Sequence, residues 1–262
     1  MTQLLTDTNA VIYGAGGRLG RGVARTFARE GATLFLTGRR AEPLESAAAE
    51  VAAAGGTAHT AVVDALDEDA VERHLDEVVE RAGSVDVSFN LTTRGDVQGV
   101  PFLDIAADDL LRPVVTGLTS SFVTARAAGR HMVADGRGVI LHLTSGSSAG
   151  TAPMMGGTGP ADAAVETLMR YLAAELGPQG VRVLGIWTAG VAGTLTDERI
   201  AEVAGPGGPT AAQAEAGLAA MSVLGRIPTV DQVADVAAFL ASERSGGMTS
   251  SIANVTCGLV LR

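Results

Sequence analysis

The stretch Asn9-Ala10-Val11-Ile12-Tyr13-Gly14-Ala15-Gly16-Gly17-Arg18-Leu19-Gly20 decides the fold. Its first five residues read as a short apolar strand, the glycines as a tight turn, and Arg18 to Glu30 as a helix. A glycine loop between a strand and a helix permits close turning and lets backbone N–H groups at the helix start approach a pyrophosphate. Standing alone, such a loop reads equally as a flexible turn.

The same alternation continues outward. Strand-like runs near Thr33 to Leu36, Thr57 to Val63, Val85 to Asn90, Gly138 to Leu143, Val181 to Trp187 and Ser251 to Val255 follow the first one. Between them lie Ala-rich helical segments at Ala41 to Ala54, Asp67 to Ala82, Ile105 to Ala134, Ala161 to Leu176 and Val230 to Ser242. This order predicts an α/β fold: a single-domain Rossmann-like, doubly wound, parallel seven-stranded sheet with helices on both faces, spanning residues 1–262. The segment at about 190–225 is helical in character but broken by Gly205, Gly207, Gly208 and Pro209, and reads as a mobile substrate lid.

Composition bounds the partners. The net charge is −10 with no basic cluster, which disfavours a phosphate backbone and excludes nucleic acid. Cys257 is the only cysteine, so neither an internal disulfide nor a multi-cysteine metal site is expected, and no metal is assigned. No stretch approaches the roughly 18 apolar residues of a spanning helix, and no basic segment leads into an apolar run at the amino terminus. The expectation is a cytoplasmic protein without membrane association, acting on a small molecule. All 19 basic residues other than histidine are arginine, so no lysine is present for Schiff-base chemistry.

At the end of the second strand, Leu36-Thr37-Gly38-Arg39-Arg40 carries Gly38 where an NAD-preferring site places an acid for the ribose diol. Arg39 or Arg40 could instead pair with the 2′-phosphate of NADP through parallel charge-assisted bonds; a solvated arginine pair is the plainer alternative. Val63-Asp64 closes the third strand, and Asp86-Val87-Ser88-Phe89-Asn90 forms the fourth. Later come Gly138-Val139-Ile140-Leu141-His142-Leu143-Thr144-Ser145, Ala163-Ala164-Val165-Glu166, Gly180-Val181-Arg182-Val183 and Phe239-Leu240-Ala241-Ser242.

This ordered set resembles the short-chain dehydrogenases/reductases over nearly the whole chain. The resemblance implies cofactor contacts from Gly14, Gly16, Gly17, Arg18, Leu19, Gly20, Arg39, Arg40, Asp64, Asn90, Thr188 and Val191. It implies NADP(H) as cofactor, with NAD(H) as the alternative, and a homo-oligomer, dimer or tetramer, assembled through the fourth and fifth helices. Ser145 stands at the family's catalytic serine.

The family's proton relay of tyrosine, lysine and asparagine has no match. Thr158 stands at the tyrosine, Asp162 at the lysine and Gly117 at the asparagine. The two tyrosines, Tyr13 and Tyr171, lie elsewhere, and no lysine exists to realign. Other departures are Arg18 at the middle glycine of the loop, Leu91-Thr92-Thr93 after Asn90, and Thr188-Ala189-Gly190 after the sixth strand. Thr158 and Asp162 are spaced i and i+4, so a helix that begins early enough turns both toward Ser145 as a catalytic cluster. The plainer reading places Pro160 at the first helical position and Asp162 in the first turn, facing the positive helix end. Met154, Met155 and Met221 suit either an apolar substrate pocket or core filling, and His142 reads as packed or hydrogen-bonded. The implied activity is an NADP(H)-dependent oxidoreductase on a small carbonyl, imine or activated alkene. A lyase, isomerase or cyclase on the same scaffold, or a silent nucleotide-binding partner subunit, remains the alternative.

Overall fold

From Ala10 to Tyr13 the first strand buries every side chain, alternately on the two faces of the sheet. Ala10 and Ile12 join one apolar core while Val11 and Tyr13 join the other. That is why the run is continuously apolar rather than alternating.

The computed structural model describes residues 3–150, 152–205 and 207–261. In chain order its elements are β1 Asn9–Tyr13, α1 Arg18–Arg29, β2 Thr33–Gly38, α2 Ala41–Ala53, β3 Thr57–Val62, α3 Glu68–Ala82, β4 Val87–Asn90 and α4 Ala107–Asp135. They continue with β5 Gly138–Thr144, α5 Thr158–Leu176, β6 Val181–Trp187, α6 Asp197–Ala204, α7 Ala211–Met221, α8 Val230–Ala241 and β7 Ile252–Asn254. The seven strands form one parallel sheet in the order β3-β2-β1-β4-β5-β6-β7. The chain winds outward from β1 to β3, then returns to β4 on the other side of β1. A crevice opens at the carboxyl ends of β1 and β4, where strand order reverses.

One core holds Phe27 of α1, Leu44 and Val51 of α2, and Val233 and Leu240 of α8. The opposite core holds Leu75 of α3, Val123 and Met132 of α4, and Val165 and Met169 of α5. The expected seven strands and both helix layers are present. The differences lie at element ends: β4 starts at Val87 instead of Val85, β7 keeps three residues of the expected five, and α4 starts at Ala107 instead of Ile105. The substantive correction concerns α5, which begins at Thr158 and not at Ala161. Pro160 is therefore its third residue and Asp162 its fifth, beyond the first turn. Within 190–225, α6 and α7 contain no fully buried residue, and Thr196 and Thr210 cap their starts.

A histidine is enclosed in the sheet without compensation. His142 of β5 is 1% exposed, and neither ring nitrogen has a partner among the described residues. It is packed rather than hydrogen-bonded, and burial pushes its pKa down from 6.5 to about 4. The folded state thus holds the neutral ring while the unfolded chain takes a proton below 6.5. Stability present above that pH drains away as pH falls toward 4, by about 1.4 kcal/mol per pH unit. His142→Leu removes this contribution to the slope, so urea midpoints measured across that interval fall less steeply in the variant. An unchanged slope in His142→Leu would show that the ring is not held neutral.

Candidate active site

Gly14 ends β1 with a φ of +77°, and a Cβ there would lie 2.7 Å from the Leu91 carbonyl oxygen, so both conformation and space demand glycine. Its N–H and that of Ala15 donate to the Thr37 carbonyl oxygen, tying the turn to the end of β2. Gly17 is the N-cap of α1 and supplies no side-chain acceptor, which leaves the first-turn N–H groups without a side-chain cap. The turn borders a cleft of about 250 Å³, bounded on its other sides by Arg39, Arg40, Asp64 and Thr92.

Arg39 and Arg40 are exposed, and neither forms an ion pair among the described residues. Asp64 accepts the Leu66 N–H at 3.1 Å through one oxygen. Asn90 is buried instead of lining the cleft. Its Oδ1 accepts the N–H of Thr92 at 2.9 Å and its hydroxyl at 2.7 Å, so it braces the turn that forms the wall. Thr188 and Val191 also lie behind the surface, 8% and 4% exposed, and Leu19 is half-buried against the core. Arg18 reaches across to donate to the Gly193 carbonyl oxygen at 3.0 Å, linking the glycine turn to the base of the 190–225 segment.

The second cluster forms where β5 meets α5. Asp162 is 0% exposed, and both of its carboxylate oxygens are met by donors. Its Oδ2 receives the Ser145 hydroxyl at 2.6 Å, the Ser145 N–H at 3.0 Å and the Ser147 N–H at 3.1 Å. Its Oδ1 receives Arg94 Nη1 at 2.6 Å. These partners replace the helix-end role that the plainer reading gave Asp162; the early start of α5 turns the side chain inward. Ser145 and Asp162 are brought together, whereas the Thr158 hydroxyl accepts from Gln98 Nε2 at 3.0 Å. Met155 borders a 470 Å³ hollow with Ser147 and Ser148, while Met154 and Met221 are exposed.

Arg94, in the loop after β4, also donates to Asp96 at 3.2 Å. Burial works against its charge, yet Asp162 and Asp96 outweigh that and leave its pKa above the ordinary value. Its side chain crosses Gly117 of α4 so closely that a Cβ there would lie 2.6 Å from Arg94 Cδ. One turn beyond Asp162, Glu166 accepts the hydroxyls of Thr144 and Ser148 and the Trp187 indole N–H, at 3.1, 2.8 and 2.8 Å. Sequence reasoning missed Arg94, Gln98 and Glu166. The only hint was a chain with no lysine and a glycine in the middle of its longest helix.

A family model described as "Enoyl-(Acyl carrier protein) reductase" matches residues 14–260. The chain is 32% identical over 262 residues to an L-rhamnose 1-dehydrogenase (NAD(P)(+)) of Azotobacter vinelandii, with 98% of each protein covered. It is 33% identical over 263 residues to the short-chain reductase protein NovJ of Streptomyces niveus, covering 96% of this chain and 94% of the other. Among solved structures, carveol dehydrogenase from Mycobacterium avium in complex with NAD superposes with a TM-score of 0.89 at 25% identity over 100% of both chains. NAD+-bound xylitol dehydrogenase gives 0.88 at 26% identity, over 97% of this chain and 99% of the other.

The contact between Arg94 and Gly117 sets a sign. Glycine to alanine inside an unencumbered helix gains about 1 kcal/mol. Here Gly117→Ala must displace a side chain held by two carboxylates, and is expected to cost about 1–3 kcal/mol in urea unfolding. In an Arg94→Met background the same change should become neutral or stabilising. A stabilising Gly117→Ala in the unaltered chain would rule the contact out.

Proposed function

The chain belongs to the short-chain dehydrogenase/reductase family of oxidoreductases. From that premise we propose that it binds NADP(H) and acts on a small carbonyl, imine or activated alkene without the family's tyrosine and lysine. The observation that carries the cofactor choice is Gly38 followed by Arg39 and Arg40, two exposed guanidiniums without an ion pair at the cleft. A 2′-phosphate supplies the bidentate partner that they lack. The first-turn N–H groups of α1 suit a pyrophosphate, and the second oxygen of Asp64 suits a base amino group. Tyr13 also lines the cleft, and its buried hydroxyl has no partner among the described residues, as fits a site that a ligand completes.

When bound, the nicotinamide gives or takes a hydride. The protein's own task is to place the substrate oxygen and manage protons. Thr158 and Asp162 stand at the positions of the missing tyrosine and lysine. Asp162 accepts the Ser145 proton, and Arg94 fixes the carboxylate in that orientation. Ser145 therefore positions and does not serve as a free acid. The 190–225 segment, with no buried residue in α6 or α7, acts as a lid. No helix among the described residues is long and apolar enough to cross a membrane, in keeping with a cytoplasmic enzyme.

The reading extends to a homo-oligomer, dimer or tetramer. Leu111, Val115, Leu118 and Phe122 follow one another along α4 at helical spacing and are 51%, 61%, 37% and 40% exposed. A second copy packed helix against helix would cover this stripe.

Calorimetric titration tests the cofactor assignment: NADPH should bind at least tenfold more tightly than NADH. Arg39→Ala should lose about tenfold or more for NADPH, since a hydrogen bond to a charged group contributes about 1.5–3 kcal/mol, and should leave NADH nearly unchanged. Equal affinities, or no binding of either, would falsify the assignment. For assembly, sedimentation velocity of Val115→Asp should show monomer under conditions where the unaltered chain is dimeric or larger. A unaltered chain that sediments as a monomer ends that part of the reading.

A further inference from the structure

At the start of α5 the hydroxyl protons of Ser145 and Ser147 are both committed. Ser145 carries a single hydroxyl proton, which goes to Asp162 at 2.6 Å. The 2.7 Å contact between Ser145 and Ser147 must then be a donation from Ser147, so that proton is committed as well. Arg94 is divided between two carboxylates. Thr158, at the position where the family has its proton donor, is only 3% exposed.

Gln98 differs from all of these. Its Nε2 donates one N–H to Thr158, and its second N–H and its Oε1 have no partner among the described residues. The side chain is only half-buried. Its backbone is held at both ends: the Gln98 N–H donates to the Val203 carbonyl oxygen of α6, and the Gly99 N–H donates to that of Met154, each at 2.8 Å. An amide anchored in this way is a preorganised donor.

We propose that Gln98, not Thr158, meets the substrate, donating its second N–H to the oxygen of a neutral, conjugated carbonyl compound. This rests on the NADP(H) reading above. An amide N–H stabilises negative charge on oxygen but does not hand over a proton. A saturated ketone needs that proton at oxygen; a conjugated one does not. Hydride from the reduced nicotinamide forms a C–H bond at the β-carbon, the alkene pair shifts to give an enolate, and Gln98 holds the enolate oxygen. The α-carbon then takes a proton from water, leaving hydroxide. One guanidinium beside the two carboxylates of Asp96 and Asp162 leaves the surroundings net negative, which selects a neutral ligand over an acid.

The test uses 2-cyclohexen-1-one bound to the full chain with NADP+, a pairing that cannot turn over. Affinity is read by calorimetry and the carbonyl stretch by infrared difference spectroscopy. Gln98→Met keeps the length and loses the N–H. It should weaken ketone binding about three- to tenfold and raise the stretching frequency, as expected for one lost hydrogen bond. Thr158→Val, which keeps the amide but removes its anchor, should give a smaller change of the same sign. An unchanged frequency and affinity in Gln98→Met overturns the proposal, including where that variant melts lower, since the residue would then be purely structural. It is also overturned if the unaltered chain binds NADP+ but not the ketone. Failure to bind NADP+ removes the cofactor reading beneath it.

Discussion

A carboxylate with no exposed surface has to be met by donors on every side, and Asp162 sets this demand at the centre of the molecule. Leaving such a group unpaired costs several kcal/mol, comparable to the whole stability of many domains. The surrounding chain is arranged to prevent that. The turn after β5 lends two backbone N–H groups and a hydroxyl, and the loop after β4 sends Arg94 across α4. Gly117 leaves room for that side chain to pass. Asp162, Arg94 and Gly117 form one steric and electrostatic unit, so a change at any one of them is felt by the other two.

The scaffold was legible because periodicity and glycine carry it. β1, the glycine turn and α1 lie within one continuous stretch, Asn9 to Arg29, and the local chemistry of that stretch admits few folds. Ser145 and Asp162 are singled out by their place in an ordered set of motifs, and the fold brings the two side chains together. Their other partners are not so marked. Arg94 is 68 residues from Asp162 in the chain and sits in a loop without hydrophobic period, where one arginine reads like any other exposed cation. Gln98 is similarly silent, since its importance arises only when α6 and the loop before α5 close on its backbone. Asn90 shows the opposite difficulty. Its motif singles it out, but the inward turn of its side chain to brace Thr92 is written in no motif.

The helix start at Thr158 mattered more than its three-residue displacement suggests. With Pro160 at the first position, Asp162 would face solvent and the helix end, and Ser145 would lose its carboxylate partner. Extending α5 backward by one turn exchanges a surface charge for a buried one, and with it an exposed loop for a polar site. Periodicity alone does not distinguish these, because the preceding residues, Gly156-Gly157-Thr158-Gly159, carry almost no apolar pattern.

Glu166 holds the indole of Trp187, the only tryptophan in the chain, at the end of β6. The same carboxylate also receives the Ser148 hydroxyl, next in the chain to Ser147, whose N–H donates to Asp162. The protein therefore carries a built-in optical reporter: a single buried fluorophore whose N–H is fixed to the polar wall of the site. Its emission reports on that wall alone, undiluted by a second indole elsewhere in the fold.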